Sequence, residues 1–254
     1  MSADLKKHIE LEIAHVLFID IVGYSKLSIN AQHAAVDELT QIVRSTEQFQ
    51  KAEAVDRLIK IATGDGMALV FYTTPEAPVR CSIEIGRALK EHPHLHVGMG
   101  IHSGPVSGIV DVTGRGNLTG AGLNIASRVM NCGDAAHILL SKRTAEDLEE
   151  YDEWRPFLHD LGVCEVKHGT QLGVVNLYGN DVGNATLPKT FRLIKQRRVR
   201  RRTVSIATIV TVLAVTVVVV TWSLPARKIP ISGEPPKSIA VLPFENLSGD
   251  PSNA

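Results

Sequence analysis

The sequence predicts an α+β fold: a ferredoxin-like βαββαβ core with a C-terminal elaboration, followed by one transmembrane helix. Three observations carry this. Apolar runs and helical patterns follow the order strand–helix–strand–strand–helix–strand between His15 and Gly104. Two of those strands are joined by Gly64-Asp65-Gly66, a hairpin signal. No charged residue occurs between Arg202 and Arg227.

Taken in order, "HVLFIDIVGYS" is a short apolar run ending in Gly23, a buried strand entering a turn. A helix follows over residues 29–53, with Ala34, Ala35, Leu39, Ile42 and Val43 on one apolar face. "RLIKIATGDGMALVF" is the hairpin. Thr74 and Pro75 open a second helix, as cap and first residue, running to about Glu91. "LHVGMGIHSG" alternates as a strand does, and "DVTGRGNLTGAG" reads as loop. "LNIASRVMNCG" is a helix stopped by Gly133, "HILLS" a strand, and Ser141 caps a helix through Glu150. The stretch to Tyr178 reads as strands with turns. Domain limits are an N-terminal lead at 1–12, a globular domain at 13–180, a basic linker at 181–202, the span at 203–224, and a Pro-rich tail at 225–254.

The formal net charge of zero hides an asymmetry. Residues 1–188 hold 16 basic and 24 acidic residues, whereas "KTFRLIKQRRVRRR" at 189–202 holds eight basic residues and no acid. The basic run directly precedes "TVSIATIVTVLAVTVVVVTWSL". About 20 apolar residues at ~1.5 Å each cross a ~30 Å hydrocarbon core. A basic flank stays in the cytoplasm, so the expected location is the cell inner membrane. The span is single, the globular domain is cytoplasmic, and the C-terminus lies on the far, periplasmic side. The cluster's place beside the span makes the membrane, not nucleic acid, its expected partner. Cys81, Cys132 and Cys164 are far apart in sequence, lack metal-ligand spacing, and read as buried thiols in a reducing compartment. The N-terminus lacks the apolar core of a secretory signal.

Asp20 ends the first strand and Asp65 sits at the hairpin turn beside it. Two acids brought together repel unless a cation lies between them. Magnesium or manganese suits oxygen ligands and retains waters and substrate phosphates, a two-metal phosphoryl-transfer arrangement. A turn serving only its own geometry explains Asp65 alone, but not the charge inside "LFIDIV". Asn124 and Arg128, four apart on one helix, share a face.

Four pieces in order, "FIDIVGYS", "TGDGMALVF", "GMGIHSGPV" and "GLNIASRVMNCGDAAHILLS", resemble class III nucleotidyl cyclases, the adenylate and guanylate cyclase family, over about residues 13–180. The resemblance implies two metal ions per site, Mg²⁺ or Mn²⁺, held by Asp20, Ile21 and Asp65. It implies that backbone amides from Ile21 through Val22 and Gly23 to Tyr24 cradle a triphosphate, with Ile61, Gly64, Asn117 and Lys167 as further substrate contacts. Asn124 would orient the ribose. Arg128 would stabilise charge on the α-phosphate. In such enzymes the aspartates and the Asn/Arg pair come from different subunits, which implies a head-to-tail homodimer with a nucleoside triphosphate as substrate. His102 in "GIHSG" reads as a neutral core histidine, and "GRGN" as a loop.

The base-reading positions depart from the family. Adenylate cyclases usually carry lysine four residues before the hairpin aspartate; here that residue is Ile61, with Lys60 one step away and so on the opposite strand face. The second base reader, commonly Asp or Thr, is Asn117, which both donates and accepts and selects no base. The Glu and Cys typical of guanylate cyclases are absent. ATP is the expected substrate on family frequency; a pyrimidine (UTP or CTP) cyclase and a catalytically silent relay stay open. A diguanylate cyclase lacks support, because "TGDGM" is not its Gly-Gly-(Asp/Glu)-Glu-Phe signature. "IAVLPFENLSGDPSNA" resembles the opening of a TolB-like domain, so a relative of a longer receptor, cut short, is expected.

Overall fold

The computed structural model describes residues 11–110, 116–166 and 169–196, with residues 211, 213–216, 218–220 and 222. The chain divides into two units, residues 1–201 and 202–254. In the second unit the described residues are helical. Among the described residues no helix is long and apolar enough to cross a membrane. The expected span at 203–224 lies largely outside them, and the TolB-like tail wholly so.

The first unit is a mixed sheet. Its strands are β1 (Leu11–Ile21), β2 (Leu58–Ala62), β3 (Gly66–Phe71), β4 (Val97–Val110), β5 (Gly116–Thr119), β6 (Ile138–Ser141), β7 (Leu158–Glu165) and β8 (Gln171–Leu177). Their order is β2-β3-β1-β4-β6-β8-β7, with β5 beside β4. β1 lies antiparallel between β3 and β4, which is the expected ferredoxin-like arrangement. β7 and β8 form the C-terminal elaboration as a hairpin.

Strand alternation sorts β1 onto two faces. Leu17, Ile19 and Ile21 enter the main core with residues from α1 (Ile29–Ser45), α2 (Glu47–Ala54), α3 (Glu76–Ala88) and α5 (Lys142–Glu149). Ala14 and Val16 pack on the opposite face with Ala126 of α4 (Ala121–Met130). α4 presses hard on β4. A Cβ on Gly100 would lie 2.4 Å from the Met130 nitrogen and 2.6 Å from the Ala126 oxygen. Only glycine admits the helix at that depth.

Several expectations need correction. The helix expected over 29–53 breaks at Thr46, whose backbone is extended. There the Thr46 hydroxyl donates to the Val43 carbonyl at 2.7 Å and lies 3.4 Å from Cys81 Sγ. Thr74 does not cap α3 with its side chain; its carbonyl accepts from the Ala77 amide at 3.1 Å. β4 does not stop at Gly104 but runs to Val110, and 116–119, expected as loop, is β5 paired with it. Cys132 and Cys164, distant in sequence, have their sulfurs 2.7 Å apart. Ser141 does cap α5, accepting from the Thr144 amide.

Candidate active site

β1 places Asp20 opposite Gly66 of β3 on one side and Gly98 of β4 on the other. Neither neighbour has a side chain to cover the carboxylate. Gly66 has no choice: a Cβ there would lie 2.0 Å from the Ile19 oxygen. The Thr63 amide closes the turn onto the Gly66 carbonyl at 3.1 Å, with Gly64 at φ +96°. That conformation suits glycine, and it carries Asp65 back to the end of β1. The Ile21 amide then donates to the Asp65 carbonyl at 3.0 Å.

Asp20 and Asp65 line one pocket of about 300 Å³. Burial, with the Asp65 side chain's hydrogen bond and charge beside it, pushes Asp20 up to about 7; the Ile21 backbone N–H opposes this. Asp20 Oδ1 is buried with no hydrogen-bond partner among the described residues. A carboxylate with one orphaned oxygen, beside a second carboxylate, is a poor resting state for a protein alone and a good donor set for a hard cation. The residues therefore fit Mg²⁺ or Mn²⁺. Among the described residues no group of three or more His, Cys, Asp or Glu is placed to hold a metal. Backbone carbonyls, that of Ile21 among those expected, together with waters and ligand oxygens would complete any such coordination.

After Asp20 the chain turns through Gly23 at φ +82° into a single 3-10 turn, Tyr24–Lys26. The Ile21 and Val22 amides are already committed, to the carbonyls of Asp65 and His96. The amides of Gly23, Tyr24 and Ser25 find no acceptor among the described residues, and all three residues line the pocket. Of the four amides expected from Ile21 to Tyr24, only those of Gly23 and Tyr24 are uncommitted, and that of Ser25 adds a third. Sequence reasoning missed Ser25, Gly98, Asn131 and Asp134, all of which line the same pocket. The glycine alternation in "VGMG" was the available signal for Gly98; Asn131 and Asp134 gave none.

Asn124 is exposed on α4, and Arg128 donates to Thr170 Oγ1 at 3.3 Å. Neither lines the pocket of Asp20 and Asp65. Lys60 Nζ binds Glu53 of α2 at 2.7 Å and sits 5.8 Å from the Phe49 ring, on the helical side. Ile61 packs with the opposite cluster, on the α4 side. Gly64 is exposed in the turn. Asn117 lies on β5 opposite Ile109; its side chain, and the whole of Lys167, lie outside the described residues. His102 is buried, hydrogen-bonded to Ser141 at 2.7 Å, and held down to about 4 by burial and by Arg143. It is neutral near pH 7, as expected of a core residue.

Paired carboxylates beside free amides, at the end of the central strand of a ferredoxin-like sheet, define a pocket for a cation and an anion together. Residues 7–178 match the family described as the adenylate and guanylate cyclase catalytic domain, and the chain belongs to it; its globular domain is a nucleotidyl cyclase domain. No curated protein matches the chain. Solved structures share the fold. The adenylyl cyclase CyaB from P. aeruginosa is 19% identical with a TM-score of 0.54, over 69% of this chain and 100% of that one. The guanylate cyclase domain of RhGC from Catenaria anguillulae, solved in complex with GTP, is 21% identical with a TM-score of 0.54, over 69% and 100%. A non-canonical dimeric guanylyl cyclase domain from Blastocladiella emersonii is 23% identical with a TM-score of 0.52, over 67% and 98%.

Proposed function

We propose that the chain cyclises a nucleoside triphosphate, ATP foremost, to a 3′,5′-cyclic nucleotide and pyrophosphate, at sites shared between two copies in a head-to-tail homodimer. One observation carries this reading. Asp20 and Asp65 share a pocket from which Asn124 and Arg128 of the same chain are absent. A two-fold pairing brings the two halves together twice.

In that site Asp20 and Asp65 would hold two divalent ions, Mg²⁺ or Mn²⁺. When bound, such ions supply charge neutralisation at the phosphates and acidify the ribose 3′-hydroxyl. The amides of Gly23, Tyr24 and Ser25 bind the terminal phosphates. Asn124 of one copy orients the ribose for in-line attack. Arg128, with a planar guanidinium, takes up charge growing at the α-phosphate. Its bond to Thr170 is a single long contact, which a phosphate oxygen can displace.

Membrane attachment through residues 203–224, with the domain on the cytoplasmic side, is part of the same proposal and rests on the uncharged run and its basic flank. A second reading is favoured by one observation: with Ile61 at the base-reading position and Lys60 tied to Glu53, no cation on β2 is free for the base. A pyrimidine substrate, or a silent nucleotide-binding relay, follows from that. The test is the full chain with Mn²⁺ and each of the four ribonucleoside triphosphates in turn, with products read by mass spectrometry and Asp65→Ala as blank. One cyclic product absent from the blank names reaction and base. None from any triphosphate, with the dimer confirmed, overturns catalysis in favour of the relay.

A further inference from the structure

The turn at 131–137 has two sides. One lines the pocket, through Asn131, Gly133 and Asp134. The other is tied down by the chain that leaves the domain. Asn184 Nδ2 donates to the Ala135 carbonyl at 3.2 Å. His137 bonds the Thr186 carbonyl through Nε2 at 2.8 Å. The Lys189 amide donates to Asp134 Oδ2 at 2.8 Å. Asn184 is itself fixed, since its carbonyl accepts from buried Asn176 at 2.8 Å. Phe191 is 5% exposed, in a cluster with Val129 and Cys132 at the end of α4. Ala136, within the turn, has φ +62°, a conformation that costs a non-glycine residue and persists only when its surroundings enforce it.

We propose that residues 182–191 are a strap that sets the position of the pocket's lip, with Asn184 and Phe191 as positioning residues. The strap leads in sequence straight into the basic run that ends at Arg202. It ties the first residues of that run, Lys189 and Phe191, to the pocket's lip and to the end of the helix bearing Asn124 and Arg128. The inference rests on the proposed cation site, but not on turnover.

The test uses the full chain and its Asn184→Ala and Phe191→Ala variants. Mn²⁺ is titrated while the melting temperature is followed, and hydrogen exchange of the 131–137 amides is read without metal. The variants should show faster exchange across the turn, and the half-maximal Mn²⁺ shift should move several-fold upward, because the turn they hold lines the pocket of Asp20 and Asp65. Val79→Ala, a core truncation in the α3 cluster, is the control for a lowered melting temperature alone. Should Phe191→Ala fail to fold, Asn184→Ala carries the test. Variants that melt lower yet keep the wild-type Mn²⁺ requirement overturn the strap. So does a wild-type chain without an Mn²⁺ shift, or one whose shift survives Asp20→Ala. Normal Mn²⁺ binding without cyclic product sinks the cyclase reading instead and leaves the strap to be judged on the titration.

Discussion

Asp20 is where sequence and physics agree most directly. Inside "LFIDIV" its charge demanded a purpose, and the fold sets Asp65 beside it. A carboxyl whose pKa rises on folding binds its proton more tightly in the folded state. Its contribution to stability is complete below the unfolded value of about 4 and is lost as pH rises through about 7. Without metal, Asp20→Asn should therefore melt higher than wild type at pH 8, and the gap should be smaller at pH 5, closing only below about pH 4. Mn²⁺ at pH 8 should raise the melting temperature of the wild type only. Scanning calorimetry at the two pH values checks both. Arg128→Ala should lower kcat by about 10²–10³, the loss typical of removing one preorganised charge donor, with little change in KM. Neither Ser25 nor Asp134 could be read from the sequence. A free amide and a lip carboxylate are made by how a turn folds back, and local residue chemistry does not encode that.

At the scale of elements, period and turn chemistry were legible and interruptions were not. The Gly-Asp-Gly hairpin was plain, and its second glycine turns out to be fixed by the Ile19 oxygen, not by its own φ. Gly66→Ala should destabilise by about 3 kcal/mol, the upper end of ordinary point mutations, measurable by urea titration. The break at Thr46 was hidden because helical periodicity continues through it; the extended backbone there is settled by the Thr46 contacts with Val43 and Cys81. β4 was cut short because Gly104 and Pro105 look like a stop. The one-residue offset between Lys60 and Ile61 was legible, and the two side chains do take opposite faces, the lysine toward α2. Lys60→Ala should leave kcat/KM for the preferred triphosphate within about two-fold, because its side chain is turned toward Glu53 and Phe49 of α2. A loss of 100-fold would mean that Lys60 reaches the base.

For the whole molecule, the order of the core strands, β2-β3-β1-β4, followed from the sequence because a βαββαβ chain with short connections has few ways to form one sheet; the places of β5 to β8 did not. The proposed division of the site comes from family resemblance; a single chain's periodicity says nothing of a partner. It makes a strict prediction. Asp20→Ala and Arg128→Ala chains should each be inactive alone. Mixed one to one with free exchange, half the dimers pair unlike chains, and each of those holds one intact site of two. Activity should return to about a quarter of wild type, as two-fold geometry requires. No recovery would place all four residues in one chain's site.

On the proposed pairing, with Asn124 and Arg128 clear of the pocket in their own chain, a lone copy holds only half of each site. Output per molecule should then climb with abundance, and a cell holding few copies would stay quiet however much triphosphate it contained. Doubling expression would more than double the signal until pairing saturates. Crowding copies into a patch would have the same effect as making more of them.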